Sequence, residues 1–314
     1  MHAAAQDLRG GGVSPRNTRL RGQSIIEYVL IIAVIGLVIV FAGPGVAGAI
    51  RNQFNQVTNT VDSGTDGDNF ISAEEKAYRE AIKTVASKEA KDWTLDEQKA
   101  AATDIAKNGT SSVVYAKAKA AMDAGTKFSI KLTNGQTLEY RIIGINHDDL
   151  ADGSDKAGLT FLTTSTGIKS RMNATDTNAG GWEASELRTK MNSGEIWSLM
   201  PADFQLKVKP VTKMTDNKGG GSAGTPSATT DKVFLLSSTE VYGDLHSDGT
   251  QYEYYQSKGV TKSNYSGASL SIKHWTRSVT PNTSTGFCAL RSNGEWYSSY
   301  ASSTGQTVFP AWCF

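Results

Sequence analysis

The spacing of hydrophobic residues changes twice along the chain. From Val29 to Ile50 no residue is charged, and Arg51 closes this run of 22 residues. At 1.5 Å per residue, a helix of this length spans the hydrocarbon core of a bilayer, which is about 30 Å thick. Apolar residues then recur on one helical face, at Ile50, Phe54, Val57 and Val61. The pattern therefore predicts a long helix over residues 23–62, apolar in its first half and amphipathic in its second.

Residues 63–125 are rich in Ala, Lys and Glu and contain several signals for helix starts and ends. Thr94 and Glu97 have the spacing of a capping box, in which each side chain accepts a hydrogen bond from the other residue's backbone. The pair Asn108-Gly109 is typical of a helix end, and a third helix is predicted from about 111 to 124. Aromatic residues are few, so we predict a small helical spacer.

From Lys127 the hydrophobic period changes to two, as in half-buried strands. Two alternating stretches, 128–132 and 138–142, flank the dipeptide Asn134-Gly135, which is typical of a type I′ hairpin turn. The other predicted elements are a strand around Phe161, a helix over 182–192, a flexible loop over 216–230 and a strand over 233–236.

Composition narrows the classes of function. The chain of 314 residues is 20% charged, with a formal net charge of +1, which gives no electrostatic footprint for nucleic acid. Four scattered histidines, and the lack of a phosphate-binding loop or a nucleophile motif, indicate no catalytic or metal site. The acidic turn at 147–152 is predicted to be solvated. We therefore expect no enzyme activity, no cofactor and no resident metal.

Glu27 lies just before the charge-free run, where a carboxylate is costly unless it has a partner. Four arginines and one acidic residue precede Gln23, which predicts that the N-terminus stays in the cytoplasm while the bulk of the chain lies outside. A secretory signal peptide or a plain signal anchor would account for the apolar run. Neither accounts for the carboxylate.

The stretch GQSIIEY, which begins at Gly22, resembles the processing site of type IVb (Flp/Tad) prepilins. The resemblance covers about residues 15–62 and includes the basic leader, the glycine, the Glu-Tyr pair and the apolar run. It implies that a prepilin peptidase cleaves between Gly22 and Gln23. It also implies that Glu27 and Tyr28 act in assembly, where the carboxylate meets the N-terminal amine of a neighbouring subunit, since neither charge is tolerated alone in apolar surroundings.

A second resemblance covers about residues 126–314. Its landmarks follow in chain order as Trp182, Ser185, Leu187, Arg188, Asn192, Asp231, Ser237, Glu240, Trp275, Arg277 and the end Pro310-Ala311-Trp312-Cys313-Phe314. Together they resemble a widespread bacterial surface domain of unknown function with a WLRS-like element and an RPAF-like end, although Phe309 stands where that family has arginine. More loosely, the end of the chain resembles C-type-lectin-like variable proteins that are diversified by retroelements.

Residues 276–307 have the composition of a binding surface. Ser, Thr, Tyr, Asn and Gly make up 20 of these 32 residues, and Trp296 lies among them. Rigid aromatic residues among small polar ones are typical of antibody paratopes, whereas an ordinary polar, turn-rich segment is the alternative. The predicted ligand-binding residues are Asn282, Ser284, Arg291, Asn293, Glu295, Trp296, Tyr297, Ser299, Tyr300 and Ser302.

Two further predictions concern a disulfide and a metal. If the chain is exported, we expect Cys288 and Cys313 to form a disulfide worth roughly 3 to 4 kcal/mol in the chain-entropy model, with two buried free thiols as the alternative. The acidic stretch 62–75 comes close to a calcium-binding loop, but its first ligand position would be a glycine. We therefore favour a turn in which Ser72 and Glu75 cap the next helix.

The predicted fold class is α+β, in four parts: a leader peptide over 1–22, a long N-terminal hydrophobic pilin helix over 23–62, a helical spacer over 63–125 and a β-rich head over 126–314. A C-type-lectin-like fold is one option for the head. The predicted function is a pilin-like surface protein, assembled or anchored by its N-terminal helix, whose head binds a ligand.

The predicted partners are a prepilin peptidase, other pilin subunits, the cytoplasmic membrane and an extracellular protein or glycan, with no nucleic acid. The protein is then expected in the cytoplasmic membrane before assembly and at the cell surface or in a pilus afterwards. Two alternatives stay open. One is a structural or minor pseudopilin without a ligand, and the other is a membrane-anchored ectodomain with lectin-like or hydrolytic activity.

Overall fold

The structure is a computed structural model that describes residues 71–314. The leader, the segment 23–62 and most of the acidic stretch 62–75 lie outside the described residues. The end of that stretch begins the first helix, where the Ser72 hydroxyl accepts a hydrogen bond from the Glu75 backbone N–H at 3.1 Å.

Three helices open the described chain: α1 (Ala73–Ser87), α2 (Leu95–Asn108) and α3 (Tyr115–Ala124). The predicted capping box begins α2, because the Thr94 hydroxyl accepts from the Glu97 N–H and the Glu97 carboxylate accepts from the Thr94 N–H. Helix α2 ends at the predicted glycine, Gly109, which has a φ of 55°. Helix α3 begins four residues later than predicted, since residues 109–111 form a 3-10 turn.

Within residues 71–314, ten strands follow these helices. In chain order they are β1 (Phe128–Lys131), β2 (Thr137–Ile145), β3 (Leu159–Ser165), β4 (Val211–Thr215), β5 (Ser227–Asp231), β6 (Val233–Phe234), β7 (His274–Val279), β8 (Gly286–Leu290), β9 (Trp296–Tyr300) and β10 (Ala311–Cys313). Five short helices lie between them: α4 (Glu186–Asn192), α5 (Glu195–Leu199), α6 (Ala202–Lys207), α7 (Ser238–Tyr242) and α8 (Glu253–Ser257).

The strands form three antiparallel sheets. The largest has the order β1-β2-β3-β10-β6, so the C-terminal strand β10 lies between β3 and β6. Strands β4 and β5 form a two-stranded sheet, and β7, β8 and β9 form a three-stranded sheet in that order. The five-stranded sheet contains the strand predicted around Phe161 and part of the strand predicted over 233–236.

The β1–β2 hairpin lies where the sequence predicts it but turns differently. The Leu132 N–H donates to the Gln136 backbone oxygen at 2.8 Å, which leaves three loop residues. Of these only Gly135 has a positive φ, 85°. A type I′ turn needs positive φ at both central residues, so the prediction of that turn type is wrong. Asn134 instead accepts a hydrogen bond from the Gln136 N–H at 3.0 Å through its side chain.

Helices α2 and α3 pack on the five-stranded sheet and share its hydrophobic core. Ile105 of α2 and Phe161 of β3 belong to one cluster of buried residues. The Tyr140 hydroxyl of β2 donates to Gln98 Oε1 of α2 at 3.0 Å. Just before β3, a Cβ on Gly158 would lie 1.8 Å from a backbone oxygen of α2. The helix therefore lies directly against the sheet, at a distance that only glycine permits.

The predicted fold class is wrong for the part of the chain that the structure describes. In residues 71–314, no helix is long and apolar enough to cross a membrane. Helices α2 and α3 are not a separate spacer, because they share a core with the sheet. The C-terminal part mixes helices with sheets and is not a β-rich head. The helix predicted over 182–192 is present as α4, which begins later because Ser185 caps its first turn. Helix α7 was not predicted, because its cap at Ser237 is a signal too local for an analysis of hydrophobic period.

Four buried charged side chains meet between the three sheets, and we call them the charge network: Asp148, Lys213, Glu240 and Arg277. Each is at most 4% exposed. The Lys213 ammonium lies 2.5 Å from carboxylate oxygens of both Asp148 and Glu240. The Arg277 guanidinium binds both oxygens of Glu240, one of them at 2.8 Å. The four formal charges cancel.

Further hydrogen bonds complete the charge network. The hydroxyls of Thr160 and Tyr252 donate to Asp148 at 2.6 and 2.9 Å. Burial favours the neutral acid, but the neighbouring Lys213 ammonium holds the pKa of Asp148 well below its usual range. The prediction that the turn at 147–152 is solvated is therefore wrong for Asp148, because its partner Lys213 lies on a strand distant in sequence.

Replacing Lys213 with Met should destabilise the protein by about 3–5 kcal/mol, because it leaves buried carboxylates without their cation. Urea unfolding followed by circular dichroism measures this loss. The matched control is Lys262→Met, a change at an exposed lysine, which should alter the unfolding free energy by no more than about 0.5 kcal/mol. Equal and small losses in both variants would show that the charge network does not hold the sheets together.

His147, beside the charge network, joins the segment after β2 to helix α8. Its Nδ1 lies 3.1 Å from a Glu253 carboxylate oxygen, and its ring stacks on Tyr252 with centroids 4.1 Å apart. Burial opposes protonation of the imidazole, but the hydrogen bond with Glu253 and the charge of Asp148 raise the pKa of His147 above its usual 6.5. This contact is therefore strongest when His147 is protonated.

The contribution of His147 to stability should depend on pH. A raised folded-state pKa means that the stabilisation is complete below the unfolded-state pKa of about 6.5 and is lost as pH rises through the folded-state value. The difference in unfolding free energy between the wild type and His147→Gln should therefore shrink between about pH 6 and about pH 8. A difference that stays constant over this range would contradict the assignment.

Candidate ligand-binding surface

The three-stranded sheet exposes side chains mainly along its edge strand. All side chains of β7 and β8 are buried, whereas β9 has exposed or half-exposed residues at Trp296, Tyr297, Ser298 and Tyr300. We call these four residues, together with Arg291, the β9 surface; Trp296, Ser298 and Tyr300 lie on one face of the strand and Tyr297 on the other. Tyr300 is 65% exposed, and an aromatic ring with that exposure has most of its area free for contact with a partner.

The outer edge of β9 offers backbone groups as well. The Ala301 N–H donates to the Thr285 backbone oxygen at 2.9 Å, so alternation along the ladder pairs the odd-numbered residues of β9 with β8. The backbone N–H and C=O groups of Trp296 and Ser298 therefore point away from β8, and β9 is the last strand of its sheet. The strand WYSSY lacks the lysine or proline that often protects such edges.

Tyr297 is held from two sides. The Arg291 guanidinium lies 4.9 Å from the centre of its ring, and the Arg291 Nε lies 3.1 Å from Glu295. The buried side chain of Gln306 donates to the Tyr297 hydroxyl at 2.6 Å and to the Ser299 hydroxyl at 3.1 Å. A ring fixed before binding loses little conformational entropy when a partner contacts it.

Strand β7, on the other side of β8 from β9, is held rigidly by buried side chains. The indole N–H of Trp275 donates to the Ser170 backbone oxygen at 2.8 Å. Two residues further along β7, Arg277 enters the charge network and also donates from Nε to the Thr215 hydroxyl at 2.8 Å. Buried anchors on the strand that pairs with β8 fix the position of the neighbouring edge strand.

The structure distributes the predicted ligand-binding residues over both ends of β9. Asn282 and Ser284 lie in the turn between β7 and β8, at the end of the sheet where Tyr300 pairs with Gly286. Arg291, Asn293 and Glu295 lie in or beside the turn between β8 and β9, at the end where Trp296 pairs with Leu290. These residues are connected along the exposed strand but do not converge on one point.

Two of the predicted residues belong to the support of the surface. Ser299 is only 9% exposed and accepts the hydrogen bond from Gln306. Ser302 is half-buried, and its backbone N–H donates to the Asp176 carboxylate at 3.1 Å. The sequence could not separate Ser299 from the exposed Ser298, because alternation along a strand places neighbouring residues on opposite faces.

Three of the residues that carry the second sequence resemblance, Trp182, Arg188 and Asn192, contact a fourth, the buried carboxylate of Asp231. One of its oxygens accepts from Arg188 Nε at 2.6 Å and from Asn192 Nδ2 at 3.3 Å. The other accepts from the Trp182 indole N–H at 3.1 Å and from the Thr229 hydroxyl at 2.6 Å. These side chains bond to the same carboxylate, so the cluster holds α4 against β5.

The disulfide predicted between Cys288 and Cys313 is not formed, and both cysteines are free and buried. Cys288 lies on β8 of the three-stranded sheet. Cys313 lies on β10 of the five-stranded sheet, with its sulfur 3.3 Å from the Thr160 hydroxyl and 3.4 Å from Asp148. Closeness in sequence does not place the two thiols together, because the chain changes sheet between them.

The fold brings Cys288 near a histidine that no sequence pattern pairs with it. His246 Nε2 lies 4.0 Å from the Cys288 sulfur, across a separation of 42 residues. Burial raises the pKa of the Cys288 thiol to about 12, so the sulfur stays protonated at neutral pH. A protonated buried thiol is a poor nucleophile, and the pair is not poised for covalent catalysis.

The segment predicted as a flexible loop, 216–230, is folded in the structure. Its end forms β5, and its glycine-rich part is fixed by Asp216, whose carboxylate accepts from the backbone N–H groups of Lys218 and Gly224 at 3.0 and 2.8 Å. Gly219 has a φ of 56°, and a Cβ there would lie 1.9 Å from the Asn178 backbone oxygen. The glycines therefore permit close packing.

Residues 157–314 match the family model described as Domain of unknown function (DUF6273). Because the match covers half of the chain, the chain belongs to this family. The matched region contains the Asp231 cluster, all of the β9 surface and three members of the charge network, Lys213, Glu240 and Arg277. Comparison with curated proteins and with solved structures gives no match.

Proposed function

We propose that this protein is a surface-displayed binding protein whose β9 surface holds an extracellular protein or glycan ligand. The observation that carries the proposal is the pair of accessible aromatic side chains, Trp296 and Tyr300, on one face of an open edge strand, with Tyr300 65% exposed. Exposed aromatic rings on a rigid support are the usual anchors of binding surfaces. The mix of rings with small polar residues suits recognition by shape and hydrogen bonding.

The support for a binding role also includes the way the surface is built. Tyr297 is held by Arg291 and Gln306, and the sheet beneath is anchored by the charge network. A preorganised surface binds with a smaller entropic penalty than a mobile one. The protonated thiol of Cys288 favours a binding role over covalent catalysis.

The proposal extends to how the protein is displayed. A prepilin peptidase cleaves after Gly22, and the mature chain begins at Gln23. Glu27 and Tyr28 then act in assembly with other pilin subunits, and the protein passes from the cytoplasmic membrane to the cell surface or a pilus. This part is supported by the spacing of those four residues and by the apolar run that follows them.

Replacing Trp296 or Tyr300 with Ala should each weaken ligand binding by about 2 kcal/mol, or roughly thirtyfold, because each removes an aromatic anchor. Binding is measured on an array of glycans and extracellular proteins. The control is Leu206→Ala, which removes a side chain of an 87% exposed residue elsewhere on the protein. Wild-type binding that survives both aromatic substitutions would place the ligand elsewhere.

Replacing Gly22 with Val should leave an uncleaved precursor, because the larger side chain blocks the site where the peptidase cuts. N-terminal sequencing of the protein from cells detects the 22 additional residues. Gly12→Val is the matched control in the leader and should be processed normally. Glu27→Ala should be cleaved but fail to assemble. Normal processing of the Gly22 variant would overturn the proposed route of display and leave the proposal for the β9 surface standing.

A further inference from the structure

Asp148 and Lys213 of the charge network stand opposite each other on neighbouring stretches of backbone. Leu150 and Val211 form an antiparallel bridge, and a backbone hydrogen bond of 2.9 Å follows one residue further along each stretch. Counting on from that bridge pairs residue 148 with residue 213. Side chains that are opposite each other in an antiparallel pair lie within contact distance, so the backbone itself brings this amine and this carboxyl group together.

The two groups are in contact and shielded from water. Lys213 Nζ lies 2.5 Å from Asp148 Oδ1, and the two side chains are 3% and 2% exposed. The ring centres of Phe234 and Tyr252 lie 4.4 and 5.4 Å from the same Nζ. Two reactants held in this way have an effective concentration far above any that free groups reach in solution.

Glu240 is placed to take a proton from the amine. Its Oε1 also lies 2.5 Å from Lys213 Nζ. Burial favours the neutral acid, but the charges of Arg277 and Lys213 lower the pKa of Glu240. The carboxylate is therefore ionised at neutral pH and can act as a general base.

The other oxygen of Asp148 faces hydrogen-bond donors. Oδ2 accepts from the Thr160 hydroxyl at 2.6 Å, from the Tyr252 hydroxyl at 2.9 Å and from the Cys313 thiol at 3.4 Å. When an amine attacks a carboxyl carbon, negative charge develops on the oxygen that stays bound to it, and fixed donors at that oxygen stabilise the transition state. A nucleophile, an acceptor carbon, a base and oxyanion donors thus meet in one buried site.

We propose that Lys213 and Asp148 condense into an isopeptide bond, which is an amide between their side chains. One ammonium proton of Lys213 passes to Asp148 Oδ1, and the neutral amine attacks the Cγ atom. The N–Cγ bond forms as a second proton passes from the nitrogen to Glu240. Glu240 returns this proton to the Oδ1 hydroxyl, the Cγ–Oδ1 bond breaks, and one water molecule leaves. The reaction consumes no further reactant.

The buried charges favour the amide. Two ions held away from water are costly, and the reaction replaces Lys213 and Asp148 with a neutral group. The remaining pair, Glu240 and Arg277, stays balanced. The ion pair described above is the reactant of this step, and the amide keeps the same two stretches of chain together. This inference depends neither on the ligand of the β9 surface nor on the route of display.

Intact-mass measurement of the denatured full-length protein tests the bond. Relative to the mass calculated for its own N-terminus, the wild type should lack one water molecule. Lys213→Arg keeps the charge but cannot form the amide, so it should have its full calculated mass. Trypsin should release from the wild type one branched peptide that joins the segment containing Asp148 to the segment containing Lys213.

Two outcomes would overturn the proposal. One is a purified wild type with its full calculated mass. The other is a loss of water without the branched peptide, which would show that an aspartate has closed on its own backbone instead.

A further pair of variants tests the role of the base. Glu240→Gln cannot accept the proton and should keep its full mass, with circular dichroism as the check that it folds. Glu183→Gln makes the same change at an exposed residue and should lose one water molecule as the wild type does. A branched peptide from Glu240→Gln would overturn the role of Glu240. If that variant fails to fold, the mass and the branched peptide of the wild type decide whether the bond forms.

Discussion

The ionic contact of Lys213 with Asp148 and Glu240 is the constraint on which the rest of the described structure depends. Lys213 comes from the two-stranded sheet, Asp148 follows β2 of the five-stranded sheet, and Arg277 belongs to the three-stranded sheet. Glu240 on α7 binds both cations. Three sheets that share no strand are thus joined by four charges that sum to zero. Removing these charges from water is costly, so the network favours one arrangement of the sheets, in which every charge is paired.

The β9 surface depends on this arrangement. Arg277 fixes β7, β7 pairs with β8, and β8 positions the edge strand that carries Trp296 and Tyr300. A ligand on the proposed surface would contact a few accessible side chains whose support is buried and ionic. Tyr300 is free to vary without loss of the fold, whereas Trp296 and Tyr297 also pack against the hydrophobic core.

The Asp231 cluster gives four landmarks of the second sequence resemblance a physical role. Trp182, Arg188 and Asn192 all donate to one buried carboxylate. A cluster of this kind holds a helix against a hairpin, and its loss would leave several buried polar groups unpaired. The cluster therefore contributes to folding, and the ligand proposed above would contact residues outside it.

The sequence by itself determined the elements that rest on local chemistry. The capping box of α2, the glycine that ends it, the first hairpin and the strand around Phe161 all follow from residues within a few positions of one another. It also indicated the segment that contains β9 as a candidate binding surface, because an unusual mix of aromatic and small polar residues can be recognised from composition alone.

Only the tertiary structure decided which polar residues are buried and what they contact. Asp148 has the sequence surroundings of a solvated turn, and it is buried because Lys213 reaches it from a distant strand. The cysteines lie apart because the chain changes sheet between them, and the glycine-rich segment is folded because Asp216 and Asn178 hold it. The physical reason is the same in each case. Pairing of buried polar groups depends on distance in space, and hydrophobic period and composition report only on neighbours along the chain.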